Sequence, residues 1–156
     1  AGTMQSPTRG VFSSGEGNSN PYAVVNSIVY LNISTQGNTA DFGDAVRAVR
    51  YPSATSNAIR GVQCNGGAPN SYTNQIEFIT LATLGNAQDF GDLTLSNQGS
   101  GSGGLASPTR AVFAVSSETN VDYVQIMTKG NGVDFGDKTD NGSGGGGCSN
   151  GHGGLG

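Results

Sequence analysis

Asp-Phe-Gly-Asp occurs three times, at Asp41-Phe42-Gly43-Asp44, Asp89-Phe90-Gly91-Asp92 and Asp134-Phe135-Gly136-Asp137. Each copy places two carboxylates three residues apart beside backbone carbonyls, the oxygen-rich setting that a hard cation such as Ca²⁺ favours. A calcium loop supplies more oxygens in a tighter pattern, so the tetrapeptides read as turns and no metal or other cofactor is expected. In the turn reading the Asp side chains bond nearby backbone N–H groups, Gly supplies an unusual φ and Phe packs inward between sheets. Asp-Phe-Gly is also the magnesium signature of protein kinases. That chemistry needs a single copy, a strand lysine and a catalytic Asp in a much longer chain.

Arginine recurs as well, in Arg9-Gly-Val, Arg60-Gly-Val and Arg110-Ala-Val. Three arginines could bind an anionic glycan. The structural alternative is that each pairs with a repeated Asp, since the planar guanidinium binds a carboxylate with two parallel hydrogen bonds. His152 is the sole histidine and lies in a glycine-rich tail. General-base catalysis needs an oriented partner for such a residue, and none is in sight, so a non-enzymatic protein is expected. Cys64 and Cys148 are read as free thiols, with a single bridge as the alternative; two cysteines make no disulfide scaffold.

These residues recur because the chain is a repeat. The tetrapeptides start 48 and 45 residues apart, and an aromatic (Tyr30, Phe78, Tyr123) precedes each by eleven residues. Repeats must be recognised first, because they set the architecture. Around the aromatic the copies read Ile28-Val-Tyr-Leu-Asn-Ile33, Ile76-Glu-Phe-Ile-Thr-Leu81 and Val121-Asp-Tyr-Val-Gln-Ile126, largely alternating and rich in β-branched residues, as strands are. Gly37-Asn38, Gly85-Asn86 and Gly130-Asn131 follow as turns. The Arg-containing runs form a second strand. The link from Arg to aromatic shortens from 21 to 18 to 13 residues, as a surface loop permits. A further strand is expected just after the acidic tetrapeptide, in Ala45–Val49 or Leu93–Leu95. No segment carries a helical period.

Composition sets the outer bounds. The 156 residues suit one domain, and Leu, Ile, Val and Phe make up about a fifth of them, near the lower edge for a folded chain. Eight of the eleven aromatics fall in repeat register, which disordered tails do not achieve. With seven Lys and Arg and a net charge of −4, no basic patch is available for nucleic acid. No apolar run approaches the ~20 residues that span a bilayer. One all-β domain over residues 1–156 is expected, with repeats at about 6–53, 54–106 and 107–140 and a Gly-rich tail at 141–156. Short strands in units of about 45–50 residues suggest propeller blades. Three blades are too few to close a ring, for propellers have about four to eight. The tail reads as a worn start of a fourth repeat. The chain is therefore expected to pair with itself as a homo-oligomer, two chains giving six blades in one arrangement, or to dock onto the larger protein that carries it.

Ser6-Pro-Thr-Arg-Gly-Val-Phe12, Ser107-Pro-Thr-Arg-Ala-Val-Phe113, the strand through the repeated aromatic and Gly-Asn-x-x-Asp-Phe-Gly-Asp together resemble the kelch-like repeats of structural proteins in tailed phages, especially marine cyanophages. Ala87–Leu93 matches that pattern closely, and the likeness runs from about Ser6 to Asp137. Ala111 in place of Gly and the missing Gly-Gly after Phe113 are departures. The resemblance implies a kelch-like β-propeller unit at the virion surface, as a capsid knob or horn or another appendage, with capsid or tail proteins as partners. It also leaves open a tail-fibre role in which the chain recognises host-surface glycan. Tyr22, Tyr51 and Tyr72, the aromatics outside the repeat register, are the candidate sugar-contacting residues.

Overall fold

The computed structural model describes residues 1–17, 23–64, 66–68, 71–97, 103–115, 118–142 and 144–150. Tyr22 and His152 lie outside the described residues. The fold is all-β, with no helix among the described residues. It consists of three antiparallel sheets, each with four main strands. The first holds β1 (Gly2–Gln5), β2 (Arg9–Glu16), β3 (Val24–Asn32) and β4 (Ala40–Asp44) in that order. The second is built from β5 (Ser53–Ser56), β6 (Arg60–Cys64), β8 (Ser71–Thr80) and β9 (Gln88–Asn97), with the short β7 (Gly67–Ala68) also paired to β8. The third runs β10 (Gly104–Ala106), β11 (Arg110–Ala114), β12 (Asn120–Gln125) and β13 (Val133–Asp137).

Local chemistry explains the hairpins. Ser6 N donates to Arg9 O at 2.9 Å, and its hydroxyl accepts from Arg9 N at 3.1 Å. Ser107 and Arg110 repeat both contacts at the same distances. In the second sheet Asn57 takes the place of serine, its amide oxygen accepting from Arg60 N at 2.7 Å. A short polar side chain that folds back on its own turn is what Ser and Asn offer here.

The sheets begin earlier than the repeat boundaries suggest. Gly2–Gln5 and Gly104–Ala106 belong to the sheets that follow them, pairing with β2 and β11. The first strand of each sheet therefore precedes the arginine. The expected strand at Ala45–Val49 is absent, while Leu93–Leu95 simply extends β9.

The three sheets stack like leaves, with β5 touching β1 on one side and β10 and β11 on the other. Gly2 and Gly104 permit the close approach. A β-carbon on Gly2 would sit 2.9 Å from Ala54 Cβ, and one on Gly104 would sit 2.7 Å from Ala54 O. Two apolar clusters fill the gaps. Met4, Val11, Ile28, Phe42, Ala45, Ile79 and Leu81 join the first sheet to the second. Val62, Ile76, Phe90, Phe113, Val124 and Ile126 help join the second to the third. The strand patterns follow from this stacking. Gly61–Cys64 in the middle sheet is buried on both faces, whereas β2 buries Val11 and Ser13 and β11 buries Ala111 and Phe113. The two outer sheets thus bury opposite faces and leave one face each open.

The tail returns to the stack. Ser149 bridges Ala106 in parallel register, Asn150 N donates to Ala106 O at 3.1 Å, and Ser149 Oγ donates to Ser56 O at 2.6 Å. The tail therefore runs beside β10, the first strand of the last sheet.

Candidate functional site

The recurring residues of the first two copies converge on the two junctions between sheets, while Arg110, Tyr123 and Phe135 of the third stand on the outer face of the last sheet. The tetrapeptides are bulged outer strands and not the turns that their composition suggests. Ile28 faces Gly43 and Val29 faces Asp41, so Phe42 is the extra residue; the register shifts identically at Phe90 and Phe135. A β-bulge re-aims its side chain and ends regular pairing. Gly43, Gly91 and Gly136 have φ of 144°, 151° and 135°, so the special φ expected of glycine is present, but it serves the bulge.

The bulge then receives the turn of the next sheet. Gly85 N donates to Phe42 O at 2.8 Å, Ala87 N to Asp44 O at 2.8 Å, and Asp44 N to Asn86 Oδ1 at 3.0 Å. One repeat later the pattern recurs: Gly130 N to Phe90 O at 3.0 Å, Gly132 N to Asp92 O at 2.7 Å, and Asp92 N to Asn131 Oδ1 at 3.1 Å. A β-carbon on Gly43 would lie 2.5 Å from Gly85 O, so glycine is needed for the approach as well as for φ.

Arginine closes each junction. The Arg9 guanidinium lies 4.7 Å from the centre of the Tyr30 ring, and its Nη1 donates to Leu81 O of the next sheet at 2.5 Å. Arg60 stacks on Phe78 at 4.3 Å and donates to Ile126 O at 3.1 Å. Arg110 stacks on Tyr123 at 4.5 Å. The expected Arg–Asp pairing is thus replaced by ring stacking and a carbonyl. A guanidinium over an aromatic face is held by the ring quadrupole and leaves its N–H edge free for an acceptor. Beneath it, Tyr30–Phe42, Phe78–Phe90 and Tyr123–Phe135 each form an edge-on pair with centroids 6.0 Å apart.

Phe42 and Phe90 are buried at 2% and 3% exposure, as expected, but Phe135 is 55% exposed. The expected burial fails there because, among the described residues, no fourth sheet covers it. The Asp side chains play varied parts. Asp89 accepts from Gln75 at 3.2 Å, Asp134 from its neighbour Gly136 N at 3.0 Å, and Asp137 from Thr119 at 3.0 Å. Among the described residues no three His, Cys, Asp or Glu side chains gather into a metal-binding group.

Two functional carboxylates were not singled out from the sequence. Glu77 accepts from Val46 N at 2.5 Å and also from the Gln63 amide. Asp122 accepts from Thr94 N at 2.8 Å and from Thr94 Oγ1 at 2.8 Å. Each clamps the chain just after the preceding bulge. Their signal was an acid directly before the repeated aromatic, inside an otherwise apolar strand. Burial raises the Glu77 pKa above its ordinary value, partly opposed by hydrogen bonds from Val46 and Gln63 and by Arg47; Asp89 adds to the rise. Cys64, a buried free thiol, is pushed well up by desolvation and by the Asp122 charge, while Cys148 is free and exposed.

Two of the three candidate tyrosines reach one surface. The Arg50 side chain pairs with Glu16 at 3.3 Å, and the other Glu16 oxygen accepts from Tyr51 OH at 3.3 Å. The Arg50 backbone bonds to Gly67, whose strand partner is Tyr72. Tyr51 and Tyr72 are both about half exposed, at 48% and 43%. Elsewhere, a groove of about 280 Å³ opens where β1, β5 and β10 meet the tail, lined by Thr3, Ala54, Ser56 and Cys148 among others. Its lining holds no carboxylate, imidazole or amine. Compared with known proteins, the chain matches no protein family and no curated protein.

Proposed function

We propose that this chain is a non-enzymatic structural protein of a tailed-phage virion, displayed on the particle surface as a capsid knob or horn or as another appendage. In this reading the three sheets are kelch-like blades of a propeller that the chain alone leaves incomplete. One observation carries it. The residues that recur, Arg, aromatic, Phe, Gly and Asp, are spent on holding one sheet to the next by the same contacts at both junctions. Residues committed to such joints build a scaffold, and the motif resemblance supports reading that scaffold as part of a virion. Immunogold labelling of intact particles tests the proposal. Label on the outer surface of head or tail is expected, and particles that carry none of the protein overturn it.

A carbohydrate-binding adhesin is the second reading, favoured by the surface that Tyr51, Tyr72 and the Arg50–Glu16 pair share. Aromatic faces stack on sugar rings, and a flanking ion pair can bind hydroxyls. Titration with host-envelope polysaccharide should then show binding that is lost in a Tyr51→Ala, Tyr72→Ala double variant. Equal binding by that variant would remove the tyrosine surface from consideration.

A further inference from the structure

The two open faces of the stack are the two halves of the joint that the chain makes twice internally. On the last sheet, Phe135 occupies the position of Phe42 and Phe90, yet it is 55% exposed where they are buried. Leu105, in register with the buried Met4, is likewise exposed. Arg110 sits on its ring as Arg9 and Arg60 do, and among the described residues no following sheet supplies a carbonyl. Space is open above Gly136, where Gly43 has the Gly85 carbonyl pressed against it.

The first sheet carries the missing counterpart. Ile33 N donates to Thr8 O at 2.9 Å, as Leu81 N does to Ile59 O and Ile126 N to Thr109 O at 2.8 and 2.9 Å. Ile33 is therefore the equivalent of Leu81 and Ile126. Those two are buried beneath the arginine of the preceding sheet, at 1% and 0%, whereas Ile33 is 53% exposed. The Gly37-Asn38 turn is the counterpart of Gly85-Asn86 and Gly130-Asn131, whose glycine N–H groups donate to Phe42 O and Phe90 O in the internal joints. Phe12, in the register of the fully buried Phe113, is also exposed.

We infer that the last sheet of one copy receives the first sheet of a second copy, head to tail, through the same joint. Gly37 N then donates to Phe135 O, Asp137 N donates to Asn38 Oδ1, and Arg110 donates to Ile33 O. The occupant is a second copy because both surfaces of the joint are present on one chain, matched to the internal examples at Phe135, Gly136 and Arg110 on the last sheet and at Ile33, Gly37 and Asn38 on the first. The new joint is looser than the internal ones. Val29 stands where Glu77 and Asp122 stand, so no carboxylate clamps Thr139 N. Lys138 replaces the apolar Ala45 and Leu93 and donates instead to Val115 O at 2.9 Å. A heterologous contact of this kind closes into a ring if its rotation permits and otherwise extends as a filament. The joint depends on the repeat geometry and not on the virion reading.

Two exposed substitutions test it, Ile33→Asp on the head and Phe135→Asp on the tail. In sedimentation, wild-type chain at tens of micromolar should self-associate. Each variant should be a folded monomer, its association weakened by about thirtyfold or more, as for a buried apolar anchor. An equal mixture of the two variants should regain a one-to-one pair, because the intact tail of one meets the intact head of the other. Phe12→Asp and Leu105→Asp replace either variant that fails to fold by circular dichroism. A monomeric wild type overturns the inference. So does continued self-association of the head variant, which means tail-to-tail contact, or of the tail variant, which means head-to-head contact. A mixture that stays monomeric at ten times the wild-type midpoint also overturns it.

Discussion

Asp122 Oδ2 accepts a hydrogen bond from Thr94 N at 2.8 Å, across the gap between the third sheet and the second. The carboxylate is fully buried, and Thr94 Oγ1 serves it as well. Hydrogen bonds to a charged group contribute more than neutral ones, and a buried orphan N–H costs its full desolvation. Asp122→Ala should therefore lower stability by about 2–3 kcal/mol. Urea unfolding measures this, and a loss below about 0.5 kcal/mol, the level of a surface change, would show that the clamp is idle.

The three bulge phenylalanines should separate sharply. Phe42→Ala and Phe90→Ala each empty a packed site and should cost about 3–5 kcal/mol. Phe135→Ala, read in dilute solution where copies stay apart, should cost less than about 1 kcal/mol. Equal losses at all three positions would mean that the last sheet is covered within a single chain.

The arginines should follow the same gradient. Arg60→Ala removes a stack on Phe78 and a bond to Ile126 O, and should cost about 2 kcal/mol. Arg110→Ala removes only the stack on Tyr123, worth about 0.5–1 kcal/mol at an exposed site. Denaturant midpoints for both variants decide the order, and a larger loss at Arg110 contradicts it.

The repeat itself was legible, because a fixed offset between Tyr30 and Asp41, Phe78 and Asp89, Tyr123 and Asp134 survives loops of different length. The aromatic strands and the strands opening at Arg9, Arg60 and Arg110 were legible for the same reason. The first strand of each sheet was not. Gly2–Gln5, Ser53–Ser56 and Gly104–Ala106 are short and rich in small residues, since they pack closest to their neighbours, and small residues carry no alternation. The role of Asp-Phe-Gly-Asp was half legible. Glycine with positive φ reads the same in a turn and in a bulge, and only the pairing of Ile28 with Gly43 distinguishes them. Arginine and aspartate recurring together suggested a pair, yet the guanidinium has two faces for rings and an edge for carbonyls. Exposure of Phe135 could not be read locally at all, because its sequence is that of Phe42 and its neighbours in space are not.

The thiols give a probe of intactness. Cys148 is exposed and Cys64 is buried with its pKa well raised, so its reactive thiolate is suppressed. A thiol reagent at neutral pH should modify one cysteine per native chain and two after unfolding. Rapid modification of Cys64 in the native state would mean that the second and third sheets separate readily.

Glu77 should leave its mark on the pH dependence of stability. Its pKa in the folded chain is raised from 4.5, chiefly by burial. In the window from 4.5 up to the raised value, the folded state binds more protons than the unfolded state. Stability therefore falls as pH rises through that window, and is regained as the carboxyl protonates on acidification. Other carboxylates titrate nearby, so the informative quantity is the stability of wild type minus that of Glu77→Gln at each pH. Glutamine keeps an acceptor for Val46 N but cannot titrate. The difference should favour wild type progressively as pH is lowered from 7 toward 4.5, then level off. A flat difference, or one that moves against wild type on acidification, would show that the Val46, Gln63 and Arg47 contacts outweigh burial and hold Glu77 as an ordinary carboxylate.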